Sequence, residues 1–167
     1  PGASHPDFAP LEVLDYVLTG GKRGLLKQKF VDSGRVAGVS ISHAPYKDPY
    51  PFYLRMGLSR PGGHRAIEKE VRKYLESLQK DGLSKRQVDR AKRLIETESW
   101  YERDSIEGML MGFSVLEGAG SWKLYFTLYE EIKKVETEDV MRVFCTYIHP
   151  DNMTVGWFVP TKREEEA

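Results

Sequence analysis

The residues in this chain that could carry chemistry are few: four histidines, His5, His43, His64 and His149, and one cysteine, Cys145. Metal-dependent hydrolysis needs two or three histidines or carboxylates gathered on one ion, with a further carboxylate to activate the bound water. No two of the histidines lie within ten residues of one another, so no local pair forms. The nearest substitute is His64 with Glu68, four apart at the start of a helix, where an imidazole and a carboxylate share a face. A turn histidine beside a first-turn acid that answers the helix dipole is the simpler account of that pair. Cys145 falls between Phe144 and Tyr147 in an amphipathic stretch, where a small buried or half-buried thiol is expected. There is no G-x-S-x-G elbow. Gly20-Gly21-Lys22-Arg23-Gly24 has the composition of a phosphate loop, but it follows a helical pattern rather than a strand and lacks the G-K-[ST] ending. It reads as a helix-to-helix turn.

The totals narrow the classes. A chain of 167 residues is one domain's length, and Lys plus Arg equals Asp plus Glu at 25 each. Zero net charge gives no general attraction to nucleic acid or to an anionic membrane. The hydrophobic share is 40% and the charged share 30%, as in a soluble globular domain, and no apolar run reaches the roughly 20 residues of a membrane helix. A single cysteine leaves no internal disulfide and no cysteine cluster for a metal. The opening PGASHPDF carries neither an initiator Met nor a signal segment, so Pro1 is expected to lie inside a longer natural chain.

The elements that must position these residues follow from periodicity. Pro1 to Pro10 holds three prolines and reads as a connector that turns helical only at Pro10. Leu11, Leu14, Val17 and Leu18 fall at helical spacing to about Thr19, Gly20-Gly21 breaks the pattern, and Leu25, Leu26 and Phe30 begin another. Two strands follow, Arg35 to Ser42 and Pro51 to Ser59, the second with Phe52, Leu54, Met56 and Leu58 alternating on one face. The short proline-rich loop between them makes them antiparallel neighbours. Ile67, Val71, Tyr74, Leu75 and Leu78 form the stripe of a helix ended by Asp81-Gly82. Ser84 and Gln87 form a capping box that opens a long helix, with a bend at Trp100 to Asp104 and an end at Gly118 and Gly120. Trp122, Tyr125, Phe126, Tyr129 and Ile132 make the inner face of a helix capped by Ser121, a core pattern rather than a ligand platform. Thr137 starts another helix, which Pro150 stops, and Met153 to Val159 alternates as a strand returning to the sheet. The fold class is α+β: a small, mainly antiparallel sheet with helices packed on one face, as one domain over residues 1–160 with a polar tail at 161–167.

Several of these stretches resemble the pitrilysin/insulinase-type zinc peptidases, which include the mitochondrial processing peptidases, in the second domain of each half-molecule. Leu11, Val13 and Leu14 match that family's A-L-x-V-L helix, Gly20 and Gly21 its glycine break, and Leu26, Asp32, Val36 and Ala37 its S-R-L-x-x-x-L-R-E-x-x-G-L-A-Y-x-V run. DGLSKRQVDRAK from Asp81, YEEIKKVETEDV from Tyr129 and YIHPDNMTVGWFVP from Tyr147 resemble three further family stretches in the same order. The resemblance implies a half-domain that lacks its first strand and helix here, and a parent whose zinc is held by an H-x-x-E-H motif in another domain. It implies as partners that zinc-bearing domain of the same polypeptide, a second half-molecule, and an unfolded peptide enclosed between the halves. In the family, the half without zinc offers substrate an Arg and a Tyr seven residues apart; the aligned positions here are Val31 and Gly38, which carry no side-chain donor. The H-x-x-E-H motif itself is missing from this sequence, so the chain is expected to be non-catalytic, with no cofactor of its own. It belongs either to a zinc-bearing half of a working peptidase or to an inactive relative that serves as an interaction or peptide-binding module. A soluble protein of the bacterial periplasm or cytoplasm is the expected setting.

Overall fold

The computed structural model describes residues 1–60 and 62–159. The expected polar tail at 161–167 lies outside the described residues, as does Pro61 of the turn before the next helix.

Helix α1, Phe8–Thr19, is the axis of the molecule: Phe8, Leu11, Val13, Leu14, Val17 and Leu18 are all buried. A helix apolar around most of its circumference has to be covered there, and α1 is packed by later helices and by the sheet, with Glu12, Asp15 and Tyr16 left as a half-buried stripe. It starts two residues earlier than the prolines indicate. Pro10 occupies the third helical position, where its missing N–H is one of the four that have no partner in any helix. A π-helical turn, Lys27–Val31, then brings Phe30 into the core.

Strands β1, Val36–Ser42, and β2, Tyr53–Leu58, pair antiparallel with Val39 opposite Met56 and Ile41 opposite Leu54. Between Val36 and Gly38 the register slips by one residue. That irregularity lets Val36 and Val39, three apart, both face the core, which strict alternation forbids. Gly38 lies beside it with open space where a side chain would stand and an ordinary negative φ. Gly38→Tyr is accordingly expected to raise stability, by up to about 1 kcal/mol, since a β-former replaces the most mobile residue at an unobstructed strand position. Urea unfolding checks it.

The remaining helices wrap this centre. They are α2, His64–Asp81; α3, Lys85–Arg103; α4, Ile106–Gly118; α5, Leu124–Lys134; and α6, Thr137–Tyr147. Gly82, at φ 80°, ends α2 in a backbone region that side chains disfavour. The Ser84/Gln87 capping box is present, with the Ser84 amide donating to Gln87 Oε1 at 2.7 Å. The expected bend at Trp100 to Asp104 is a full break, and Ser105 Oγ accepts from the Gly108 amide to open α4. Glu136 rather than Thr137 caps α6, in a reciprocal box with Asp139.

Met153 to Val159 forms no ladder. The segment is instead held beside α2: Trp157 Nε1 donates to Glu68 at 3.1 Å, Arg65 sits over the Trp157 ring, and Arg72 reaches Met153 Sδ at 3.9 Å. Alternation records which residues can face an apolar surface; it does not supply a neighbouring strand with a free edge.

One polar clasp ties the chain's start to its end. Asp7, whose side chain is 12% exposed, accepts from Arg142 at 2.7 Å and from the Tyr147 hydroxyl at 2.6 Å. The Arg142 hydrogen bond, and less strongly that of Tyr147, hold the Asp7 carboxyl below its ordinary pKa against the opposing effect of burial. Tyr147→Phe is expected to cost about 1.5 kcal/mol, the value of a hydrogen bond to a charged acceptor. Thermal unfolding near neutral pH measures it.

Candidate functional site

The four histidines are dispersed over the fold. His5 is 3.9 Å from Asp7 in the N-terminal loop. His64 begins α2 and stacks on Trp157, while the Glu68 carboxylate is already engaged by Arg72 at 2.9 Å and by Trp157. The one spacing that offered an imidazole and a carboxylate is therefore spent on packing. His149 precedes the 3-10 turn Pro150–Asn152. Cys145 is exposed on α6 rather than buried or half-buried: its position is on the outer side of a helix whose inner face is Val140, Val143 and Phe144. Among the described residues, no three His, Cys, Asp or Glu side chains come together as a metal ion requires. The donor set does not fit zinc.

What the fold does gather is a group of half-buried acids along α1 that the sequence reading passed over. His43, its side chain 4% exposed, lies under the Phe8 ring with centroids 4.3 Å apart and brings Nδ1 within 3.2 Å of Glu12 Oε2. Its Nε2 is buried without a partner. One turn on, Asp15 accepts from Thr19 Oγ1 at 2.6 Å. Burial pushes the Asp15 carboxyl up to about 6, assisted by Glu12 and opposed by the Thr19 hydrogen bond, His43 and Lys27. Tyr16 donates to Glu98 of α3, and burial, with that carboxylate next, raises its hydroxyl. The sequence did hold a signal: Glu12, Asp15 and Tyr16 are polar groups in a helix otherwise apolar on all sides. Such groups anchor α1 to its neighbours. Two surface cavities among the described residues lie away from them: one of about 750 Å³ is lined by Arg65, Lys69, Arg72 and Trp157 among others, and one of about 240 Å³ by Arg93, Glu96 and Tyr129 among others.

Val31 ends the π-helical turn and packs partly buried on the core, and Gly38 lies on the open face of β1. The two positions that the resemblance singled out thus carry an aliphatic side chain turned to packing and an unfilled space.

The surface departs most from expectation at α4 and α5. Ile106, Leu110 and Met111 are 83%, 63% and 59% exposed, and Val115, Trp122, Phe126, Trp100 and Tyr101 are exposed as well. Trp122 and Phe126, expected on an inner face, lie outside because Phe113 and Tyr125, with centroids 4.4 Å apart, already fill the space between the two helices. Gly112 permits that approach: a Cβ there would stand 2.6 Å from the Tyr125 ring.

Residues 1–95 match the family model of the Peptidase M16 inactive domain. The chain belongs to that family. It is the non-catalytic domain type of the M16 zinc peptidases, as its resemblance to the insulinase-type enzymes implied, and the dispersed histidines accord with it. Solved structures share the fold. The inactive peptidase domain of a candidate zinc protease from Bordetella parapertussis superposes with a TM-score of 0.85 at 23% identity, covering 100% of this chain and 89% of that one. A candidate zinc protease from Bordetella pertussis Tohama I gives 0.81 at 23% identity, covering 96% and 88%. A protease from Helicobacter pylori gives 0.80 at 19%, covering 87% of this chain but 36% of its own, so there the M16 fold is one part of a longer polypeptide. No curated protein matches the sequence. No helix among the described residues is long and apolar enough to cross a membrane.

Proposed function

We propose that this M16 domain is the supporting half-domain of a zinc-dependent peptidase that degrades or processes unfolded peptides in a chamber formed by two half-molecules. The zinc is held by another domain of the same polypeptide. The observation that carries the reading is the apolar face of α4 and α5. Six large apolar side chains, Ile106, Leu110, Met111, Val115, Trp122 and Phe126, stand 47–83% exposed there, a patch of roughly several hundred Å². A face of that size is commonly an interaction surface. It suits a domain whose work is to pack against the zinc-bearing domain and the second half-molecule. The absence of a side-chain donor at Val31 and Gly38 supports a reading in which this chain belongs to the half that does not grip the peptide carbonyl through an Arg and a Tyr.

The test is zinc content and peptide hydrolysis of the natural polypeptide, with the isolated chain measured beside it. Zinc and chelator-sensitive activity in the natural form, with neither in the isolated chain, is the expected result. Stoichiometric zinc in the isolated chain would overturn it. No zinc in either would favour an interaction module from an inactive relative; the two-stranded sheet, each strand with one side unpaired among the described residues, offers such a module a place for strand addition. Ile106→Glu with Met111→Lys is expected to change the domain's own stability by less than about 0.5 kcal/mol, both sites being exposed. It should lower hydrolysis at unchanged zinc content. Unchanged activity would remove this face from the assembly.

A further inference from the structure

Arg90, on α3, has its Nε and one terminal nitrogen, Nη2, buried with no hydrogen-bond partner among the described residues. Those two nitrogens form one side of the guanidinium, the side that grips a carboxylate or phosphate through two parallel N–H···O bonds. Among the described residues Arg90 joins no ion pair and lies over no aromatic ring. The charged groups that act on it are themselves cations, Arg23 and Arg86, which together with burial lower its affinity for its proton. Arg86 is one helical turn before Arg90 on the same side of α3, and Arg23 comes from the turn after α1. That turn is packed on α3 one turn further along: the open position at Gly21 faces the Leu94 side chain at 3.5 Å.

Burial and the like charges of Arg23 and Arg86 disfavour the Arg90 cation, and a buried donor edge without a partner is costly. A bound anion removes both penalties. We propose that Arg23, Arg86 and Arg90 form a binding site for a doubly charged oxyanion of the phosphate class, with the Arg90 edge as its two-point clamp. Arg23 and Arg86 are exposed and long, so they can move aside to admit the anion and then close on it. The Gly20 to Gly24 stretch contributes its arginine here, and not a cradle of backbone amides.

The natural polypeptide is to be unfolded thermally in potassium phosphate, potassium acetate and potassium chloride at equal ionic strength. Phosphate at about 100 times its dissociation constant should raise Tm by roughly 5–10 °C over chloride. Acetate should do little. Arg90→Lys keeps the charge but loses the two-point edge, and should abolish most of the phosphate shift. Arg86→Gln, at an exposed position that leaves the fold intact, should weaken phosphate binding several-fold by titration calorimetry. Equal Tm in phosphate and chloride, an acetate shift as large as that of phosphate, or full phosphate affinity in Arg86→Gln and Arg90→Lys would each overturn the proposal.

Discussion

Replacing Asp15 by Asn is expected to stabilise the domain above pH 7 by up to about 3 kcal/mol, one pKa unit being worth about 1.4 kcal/mol. Burial raises this carboxyl from 3.8 to about 6 in the folded chain. Between those values the folded state binds a proton that the unfolded state has released, so folding stability falls as pH rises from about 4 to about 6 and then levels. Asn keeps an oxygen for the Thr19 hydroxyl, 2.6 Å from Asp15 Oδ1, and carries no charge to desolvate. The variant's stability should therefore lack this fall. Urea unfolding at intervals from pH 4 to pH 8 separates the two curves; parallel curves would show that Asp15 ionises in the fold as freely as in water. Asp7 acts in the opposite sense. Its carboxyl is held below the ordinary value by Arg142 and Tyr147, so it contributes stability above pH 4 that is lost as pH falls through its folded pKa. Two acids eight residues apart thus pull the pH profile in opposite directions.

The half-buried acids also show where sequence reasoning stopped short. The spacing of Leu11, Leu14, Val17 and Leu18 identified a helix, yet it described one face where the fold buries all of them, because Val13 and Phe8 fill the opposite side. Asp15 becomes an unusual carboxyl only through the neighbours that half-bury it, and these depend on which helices later come to lie against α1. The helix ends were legible, since Gly82, Ser84, Gln87 and Pro150 act through local backbone chemistry that no distant contact revises. Met153 to Val159 and the face of Trp122 and Phe126 were not. In both, the pattern records apolar side chains in need of a cover, and does not say what lies against them. The proposed arginine site was not legible either, because Arg23 and Arg90 are 67 positions apart and the turn that carries Arg23 comes to lie on α3 only in the fold.

That turn gives the second large effect: Gly24→Val is expected to cost about 3 kcal/mol, the upper range for forcing extra atoms into a packed site. A Cβ at Gly24 would stand 2.6 Å from the Thr19 carbonyl carbon, 2.7 Å from its Cα and 2.8 Å from the Leu18 oxygen. All three are backbone atoms at the end of α1, so relief cannot come from a side-chain rotation. Either the turn opens or the last residues of α1 unwind. Gly20 is closed in the same way, its Cβ position 2.4 Å from the Tyr16 oxygen, which accepts from the Gly20 amide at 2.9 Å to finish the helix. Gly21 differs. It has φ 57° and meets only the Leu94 side chain at 3.5 Å, so Gly21→Ala is strained by backbone conformation alone, and Gly21→Asn, which tolerates that region, should cost less. Urea midpoints for Gly24→Val, Gly21→Ala and Gly21→Asn rank the two mechanisms. If crowding sets the turn, Gly24→Val is the most damaging by a wide margin. If Gly21→Ala matches it while Asn is mild, the left-handed residue and not the close approach is what fixes α1 against the π-helical turn.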